Sequence, residues 1–237
     1  MKKKIFAFFI TVITVLNIFA LASCSPPPEL YEVYDRLVYL LEGSRPVNEI
    51  FFGEGLVSYN DNGGLYDDDE YNSTLEGTDI YMYYTEVLPS YKTADGKEIT
   101  QYRSVNEIKA EAEKYYSSSY LNKVYPKLFV DDYYGDQGLG TRAKYLEIKN
   151  EETGKTTFCE YVYHSPVLTE ENPATVYNYE TMKIVEPSSG DTLIVEIQGY
   201  NKKYFDPESG EMKSGWHTVT LQFIIENGQW FLDGPSY

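Results

Sequence analysis

The chain has 237 residues, of which 20 are basic and 37 acidic, so its formal net charge is −17. This acidic excess argues against nucleic acid as a partner, because phosphate binding depends on Lys and Arg. Only two His and two Cys are present, with no Cys-x-x-Cys or His-x-x-x-His pair. The composition therefore predicts no zinc site, and we expect no cofactor.

The first residues have the pattern of an export signal. Lys2–Lys4 precede an uncharged run, Ile5–Ala22, as in secretory signal peptides. The small residues Ala22 and Ser23 stand directly before Cys24, and Pro26–Pro28 then prevent a helix from continuing. This stretch resembles the bacterial lipoprotein box.

The resemblance implies cleavage before Cys24 and a diacylglyceryl thioether on its sulfur. Residues 1–23 are thus predicted to be a lipoprotein signal peptide and residues 24–28 a short tether. Two acyl chains give a stable membrane anchor, whereas one is marginal. An ordinary signal peptide and an uncleaved anchor are the alternatives. All three place the remainder outside the cytoplasm, at the cell envelope.

Lipidation has two consequences for the mature chain. Removing residues 1–23 deletes three lysines and no acid, so the net charge moves from −17 to −20. An anionic membrane would repel such a body, so attachment should come from the lipid. Because lipidation uses Cys24, Cys159 is left without a partner for an intramolecular disulfide.

Residues 29–237 are predicted to form a single domain that begins with a helix. Apolar residues recur at helical spacing over Glu29–Glu42, and Gly43 and Pro46 are predicted to end the helix. An acidic loop follows at about residues 59–79, with seven acids and no Lys or Arg between Asn60 and Asp79. Its spacing does not fit an EF-hand, so a solvated loop is favoured over a calcium site.

The middle of the chain predicts one strand and two helices. Ile80–Leu88 has strand composition, Ala94–Lys97 predicts a turn, and Ser104–Glu107 fits a capping box that starts a helix. A second short helix should include Leu121 and end near Pro126 or be kinked by it. The next loop is dense in acids, tyrosine and glycine, and it is the candidate partner-binding segment through Asp131, Asp132, Tyr133, Tyr134 and Asp136.

The apolar period then changes from helical to two. Three hairpins are predicted, with turns at Asn150–Lys155, Pro187–Asp191 and Asn227-Gly228. In the last hairpin the inward positions should be Val219, Leu221, Phe223 and Ile225. Helices in the first half and strands in the second predict an α+β fold, with N-terminal helices packed on one face of a curved C-terminal antiparallel sheet.

Three segments carry a family resemblance: the helix pair Ser104–Phe129, the Tyr/Gly/Asp segment after it, and the closing hairpin Phe223–Asp233. Together they resemble the cystatin-like, nuclear-transport-factor-two-like domains of exported bacterial proteins. Over about residues 80–237 the chain is similar to IseA-type inhibitors of cell-wall D,L-endopeptidases. That resemblance implies a non-catalytic protein whose partner is a cell-wall hydrolase.

Residues that could carry chemistry are few. Cys159 and Tyr161 lie in one predicted strand, and His217 shares strand parity with Val219 and Leu221, so these three are the pocket candidates. A Cys159–His217 nucleophilic pair is one interpretation, because a thiol needs a nearby base. A small buried thiol is the simpler one. Trp216 and Trp230 are predicted to be packing and hairpin residues.

Three hypotheses of function follow. The first is a lipid-anchored, extracytoplasmic, non-catalytic binding protein that engages an envelope protein, with a cell-wall hydrolase as the partner implied by resemblance. The second is a small-ligand-binding lipoprotein that uses a concave pocket. The third is a hydrolase with an unrecognised acid pair.

Overall fold

The computed structural model describes residues 26–58, 84–132, 140–206 and 208–237. In those ranges it has three helices, in the first half, and nine strands that pair antiparallel. The predicted α+β class is confirmed. The predicted signal peptide, Cys24 and the predicted acidic loop lie outside the described residues. None of the described helices combines the length and apolar character needed to cross a membrane.

Helix α1 runs from Leu30 to Phe52, so the prediction that it ends at Gly43 is wrong. It begins with a capping box in which the Glu29 amide donates to the Glu32 carboxylate at 3.0 Å. A Cβ on Gly43 would lie 2.0 Å from Cε1 of Tyr115. Gly43 therefore permits close packing against the Tyr115 ring and does not end the helix.

Pro46 also lies inside α1, against the prediction that it bars the helix. It cannot donate to the Glu42 carbonyl, and a proline in a helix interior costs about 3 kcal/mol. Beyond it, Val47, Ile50 and Phe51 continue the buried stripe. Burying each such side chain contributes about 1.5–3 kcal/mol, so burial outweighs the cost and the helix continues.

Helix α2 spans Val105–Ala112 and helix α3 spans Ser118–Phe129. The predicted cap at Ser104 is present, because its hydroxyl accepts from the Glu107 amide at 3.1 Å. The Glu107 carboxylate accepts instead from the Arg103 amide, so the capping box is only half formed. Pro126 lies inside α3, which continues past it to Phe129.

The strands form three sheets. The predicted long strand at 80–88 is represented in the described residues by β1, and all three predicted hairpin turns connect neighbouring strands as expected. The strands are β1 (Tyr84–Glu86), β2 (Ser90–Lys92), β3 (Glu98–Thr100), β4 (Tyr145–Lys149), β5 (Thr156–Tyr161), β6 (Val176–Val185), β7 (Thr192–Asp206), β8 (Glu211–Glu226) and β9 (Gln229–Leu232). One sheet has the order β1-β5-β4, a second is the pair β2-β3, and the largest has the order β6-β7-β8-β9.

The four-stranded sheet buries one face beneath the helices. Alternate residues of β7 and β8 lie in the same core cluster as the buried side chains of α1, α2 and α3. Of the four residues predicted to point inward, Leu221 and Phe223 are buried. Val219 is only partly buried, and Ile225 is 36% exposed. Asn227 and Gly228 have φ values of 52° and 78°, as the turn between β8 and β9 requires.

A buried polar cluster joins the helices to the C-terminus. The Tyr116 hydroxyl donates to the Asn48 side chain at 2.5 Å and lies 2.8 Å from the Ser236 hydroxyl. Ser44 contacts the same Ser236 hydroxyl at 2.8 Å. Because buried polar groups are costly unless hydrogen-bonded, the cluster fixes how α1 and the last residues meet.

Candidate functional site

The three predicted pocket residues do not form one site. Cys159 is fully buried in a small cluster with Tyr84 and Ile148, and Tyr161 packs partly buried against that cluster. His217 lies in a different sheet, on β8. Burial raises the pKa of the Cys159 thiol, and its sulfur faces the Thr157 carbonyl at 3.6 Å. The structure thus gives no support to a Cys159–His217 nucleophilic pair.

His217 belongs to a projecting hairpin. Strand β6 begins where Val176 pairs with Tyr200, so the further parts of β7 and β8 pair only with each other. We call residues 200–206 and 211–217 the hairpin arm. The His217 ring stacks on Tyr204 with centroids 3.9 Å apart and planes at 14°. His217 is therefore part of a packed aromatic pair and not of a concave pocket.

The hairpin arm exposes more apolar surface than its surroundings. Trp216 is 54% exposed and meets Tyr200 edge to face, with ring centroids 5.6 Å apart. Phe205 and Met212 are paired across the two strands, and both are largely exposed. Trp216 thus lies in a hairpin and contacts the Tyr200 ring but is largely exposed, whereas Trp230 packs partly buried against the core. Contiguous exposed aromatic surface is typical of interaction sites.

The tether and the hairpin arm lie at opposite ends of the largest sheet. Pro27 and Pro28 line a surface cavity together with Lys183–Glu186, at the end of β6. There β6 pairs with the first residues of β7, whereas the arm contains the last residues of β7. The ten residue-to-residue steps from Val195 to Phe205 span about 33 Å.

The predicted partner-binding loop is described only in part. Asp131 is not a free docking carboxylate, because it accepts from the Tyr84 hydroxyl at 2.7 Å and pairs with Arg142 at 3.1 Å. Asp132 is exposed, and its carboxylate accepts from the amide and hydroxyl of Thr141. These hydrogen bonds lower the pKa of Asp132. Tyr133, Tyr134 and Asp136 lie outside the described residues.

A cleft of about 430 Å³ opens at the C-terminal end of α1. Phe51 and Phe52 of α1 form one wall, and Lys127 of α3 contributes another. The segment from Tyr161 to Val167 closes the opposite side. We call this the α1 cleft. It contains Tyr161, one of the three predicted pocket residues.

A buried charged group lies at the edge of the α1 cleft. The Lys144 ammonium donates to the Gly53 carbonyl at 2.7 Å and lies 3.9 Å from Oε1 of Glu160. Nε2 of His164 is also 3.9 Å from that oxygen and 3.2 Å from the Glu54 carbonyl. Burial is the largest influence on Lys144 and lowers its pKa, although the Glu160 carboxylate acts in the opposite direction.

A second cavity, of about 440 Å³, shares Tyr161 and His164 with the α1 cleft. Its charged lining residues are acidic, Glu54 and Glu160. The Thr85 hydroxyl beside them is buried and has no hydrogen-bond partner among the residues that the structure describes. The two cavities therefore differ in the sign of the charge that lines them.

The sequence interpretation missed Lys144, Glu160 and the cleft role of His164. Their meeting depends on the register between β4 and β5, in which Tyr145 pairs with Glu160, and on the end of α1. The available signals were Glu160, the one charged residue of β5, and a histidine four residues after it. A concave ligand pocket was also predicted. The buried face of the four-stranded sheet, where such a pocket would lie, is filled by side chains of the helices.

Comparison with known proteins assigns no family. No family model matches the chain, and a search of curated proteins found no match. The lipoprotein and IseA-type resemblances therefore stay predictions. Within the described ranges, no three Cys, His, Asp or Glu side chains are grouped so that they could hold a metal ion.

Proposed function

We propose that this chain is a lipid-anchored, extracytoplasmic, non-catalytic binding protein that engages an envelope protein through the hairpin arm. A cell-wall hydrolase is the partner that the sequence resemblance suggests. The observation that carries the proposal is the exposed aromatic surface of Tyr200, Phe205 and Trp216 on the hairpin arm. Tyr200 and Trp216 lie level with the first residue of β6, and Phe205 lies beyond it. Binding energy at protein interfaces is concentrated in Trp and Tyr side chains of this kind.

The composition of the arm supports protein binding over plain solubility. Exposed apolar side chains scattered singly are normal, but those of the arm stand in two cross-strand pairs, Tyr200 with Trp216 and Phe205 with Met212. Lys213 forms an ion pair with Asp206 near the turn of the arm, so charged side chains lie beside the apolar ones. An apolar centre with a charged rim is the usual anatomy of an interface.

The position of the arm supports the same proposal. The tether enters at the end of the sheet that is remote from the arm. A lipid on Cys24 would hold that end at the membrane, and the arm would be free to meet a partner. The acidic body, at −20 after cleavage, would be attracted to a basic partner surface and repelled by anionic lipid.

The first prediction concerns Trp216. The full lipoprotein in detergent should retain an envelope protein, and Trp216→Ala should weaken that binding about 10- to 100-fold, as for an interface hot spot. Tyr31→Ala is the matched control, since Tyr31 is 80% exposed on α1, away from the arm. Affinity for the retained protein is measured for all three forms. Equal binding by the two variants, or nothing retained by the wild type, would reject the arm as the interface.

The second prediction concerns the anchor. Cys24→Ala should move the protein from the membrane fraction to the soluble or secreted fraction, because the thioether that holds the two acyl chains cannot form. Cys159→Ala serves as the control for loss of a cysteine and should leave fractionation unchanged. Unchanged membrane fractionation of Cys24→Ala would show that the opening segment is an ordinary signal or an uncleaved anchor.

A further inference from the structure

The α1 cleft differs in charge from the rest of the molecule. Its described lining includes the basic residues Lys127, Arg142 and Lys144 and no acidic residue. The whole chain has nearly twice as many acidic as basic side chains. A cluster of cations inside a concave surface raises the local concentration of anions, and the low-dielectric walls strengthen the effect.

Two of these cations are held in place by the fold. Arg142 is fixed by its ion pair with Asp131, whose side chain is only 15% exposed. Lys144 is fixed by its hydrogen bond to the Gly53 carbonyl at the end of α1. Groups that are already ordered lose little conformational entropy when a ligand binds, so they can contribute to affinity.

The remaining walls of the cleft are apolar or carry hydroxyl groups, apart from the imidazole of His164. Phe51 and Phe52 form the α1 side, and Phe52 is itself held by stacking on Tyr237 at 4.4 Å. Tyr161 and Tyr163 stand at the other side, edge to face with centroids 6.0 Å apart. Ligand sites typically combine such apolar and aromatic walls with a few fixed polar groups.

We propose that the α1 cleft binds a small organic anion, in which a carboxylate or phosphate meets Lys127, Arg142 and Lys144 and an apolar body lies against the aromatic walls. Acidic ligands need cations to offset their desolvation, and the cleft supplies three, of which Arg142 and Lys144 also have the acidic partners Asp131 and Glu160. The site is separate from the hairpin arm, so it stands or falls independently of the partner-binding proposal.

The test uses the full lipoprotein in detergent with benzoate, phenyl phosphate and the neutral benzamide as probes. Saturable binding of at least one anion is expected by calorimetry, with benzamide bound at least about 10-fold more weakly because the charge-assisted contacts are lost. Comparing benzoate with phenyl phosphate shows which anionic group the cleft prefers. Binding of benzamide as tight as that of both anions, or no saturable binding of either anion, would overturn the proposal.

Two lysines on α3 provide a matched pair of variants. Lys127 lines the cleft, whereas Lys123, one turn earlier and also exposed, is not among the lining residues. Lys127→Glu and Lys123→Glu change the net charge of the protein equally. Lys127→Glu should weaken binding of the anion by about 5- to 10-fold and Lys123→Glu by less than about twofold, since only the first places a like charge in the cleft. Equal losses in the two variants would also overturn the proposal.

Discussion

Raising the pH above about 10 should unfold this protein cooperatively, because its buried tyrosines ionise readily only in the unfolded chain. An unfolded tyrosine ionises near pH 10. Burial raises the pKa of Tyr116 to about 12, and it raises the pKa of other buried tyrosines above the ordinary value as well. These others are Tyr84, Tyr115, Tyr120, Tyr145 and Tyr177.

The direction of the effect follows from proton binding. Between pH 10 and the folded pKa values, the folded protein keeps protons that the unfolded chain has lost, so stability falls as the pH rises. At about pH 11, a tyrosine that ionises only in the unfolded chain lowers the free energy of unfolding by about 1.4 kcal/mol, so several such tyrosines together lower it by several kcal/mol. The stability of a typical domain is about 5–15 kcal/mol, so the loss is decisive.

The measurement is a pH titration followed by circular dichroism and by tyrosinate absorbance. Loss of secondary structure and a step in tyrosinate absorbance should coincide between about pH 10.5 and 12. Tyr31→Phe is a suitable control, because Tyr31 is exposed and should titrate without affecting the transition. A gradual absorbance change near pH 10 with unchanged circular dichroism would contradict the prediction.

Lys144→Met should destabilise the protein by about 3–5 kcal/mol, the usual cost of breaking a buried ion pair by removing one partner. The Lys144 and Glu160 side chains are 7% and 4% exposed. Without the ammonium, the Glu160 carboxylate would lie buried without its lysine, and the Gly53 carbonyl would lose a donor. Urea denaturation gives the difference in the free energy of unfolding.

Two further variants distinguish the effect of breaking the buried ion pair from the effect of losing the packing of a lysine side chain. Lys183→Met removes an exposed lysine that lies 2.7 Å from Glu196, and it should cost less than about 1 kcal/mol. Lys144→Met combined with Glu160→Met should recover much of the lost stability, because both buried charges are then absent. The prediction fails if Lys144→Met costs no more than Lys183→Met.

The hairpins could be predicted from sequence because their determinants are local. Alternating side chains on both sides of Asn227-Gly228 specify the turn and the two strands together, and the φ values there agree. The end of α1 could not be predicted in the same way. Gly43 and Pro46 are local stop signals, and the burial of residues beyond them against distant parts of the chain overrides those signals.

The candidate surfaces depend still more on distant contacts. Strand alternation already places Trp216 on the face opposite to Leu221, but its contact with Tyr200 depends on the register of β7 against β8. Likewise, Lys144 and Glu160 are ordinary strand residues in the sequence. Their pairing requires β4 and β5 in register and the last turn of α1 beside them. The positions of Lys144 and Glu160 along the chain do not show that the two side chains are close in space.

If Cys24 carries the proposed lipid, helix α1 limits how far from the bilayer the α1 cleft can lie. Its 23 residues extend about 35 Å from the tether end to the α1 cleft. Residues 24–29, stiffened by three consecutive prolines, add at most about 20 Å in an extended polyproline conformation. A lipid on Cys24 would therefore keep the cleft within about 55 Å of the membrane. Any macromolecule that delivers a ligand to it must present that ligand inside this shallow layer.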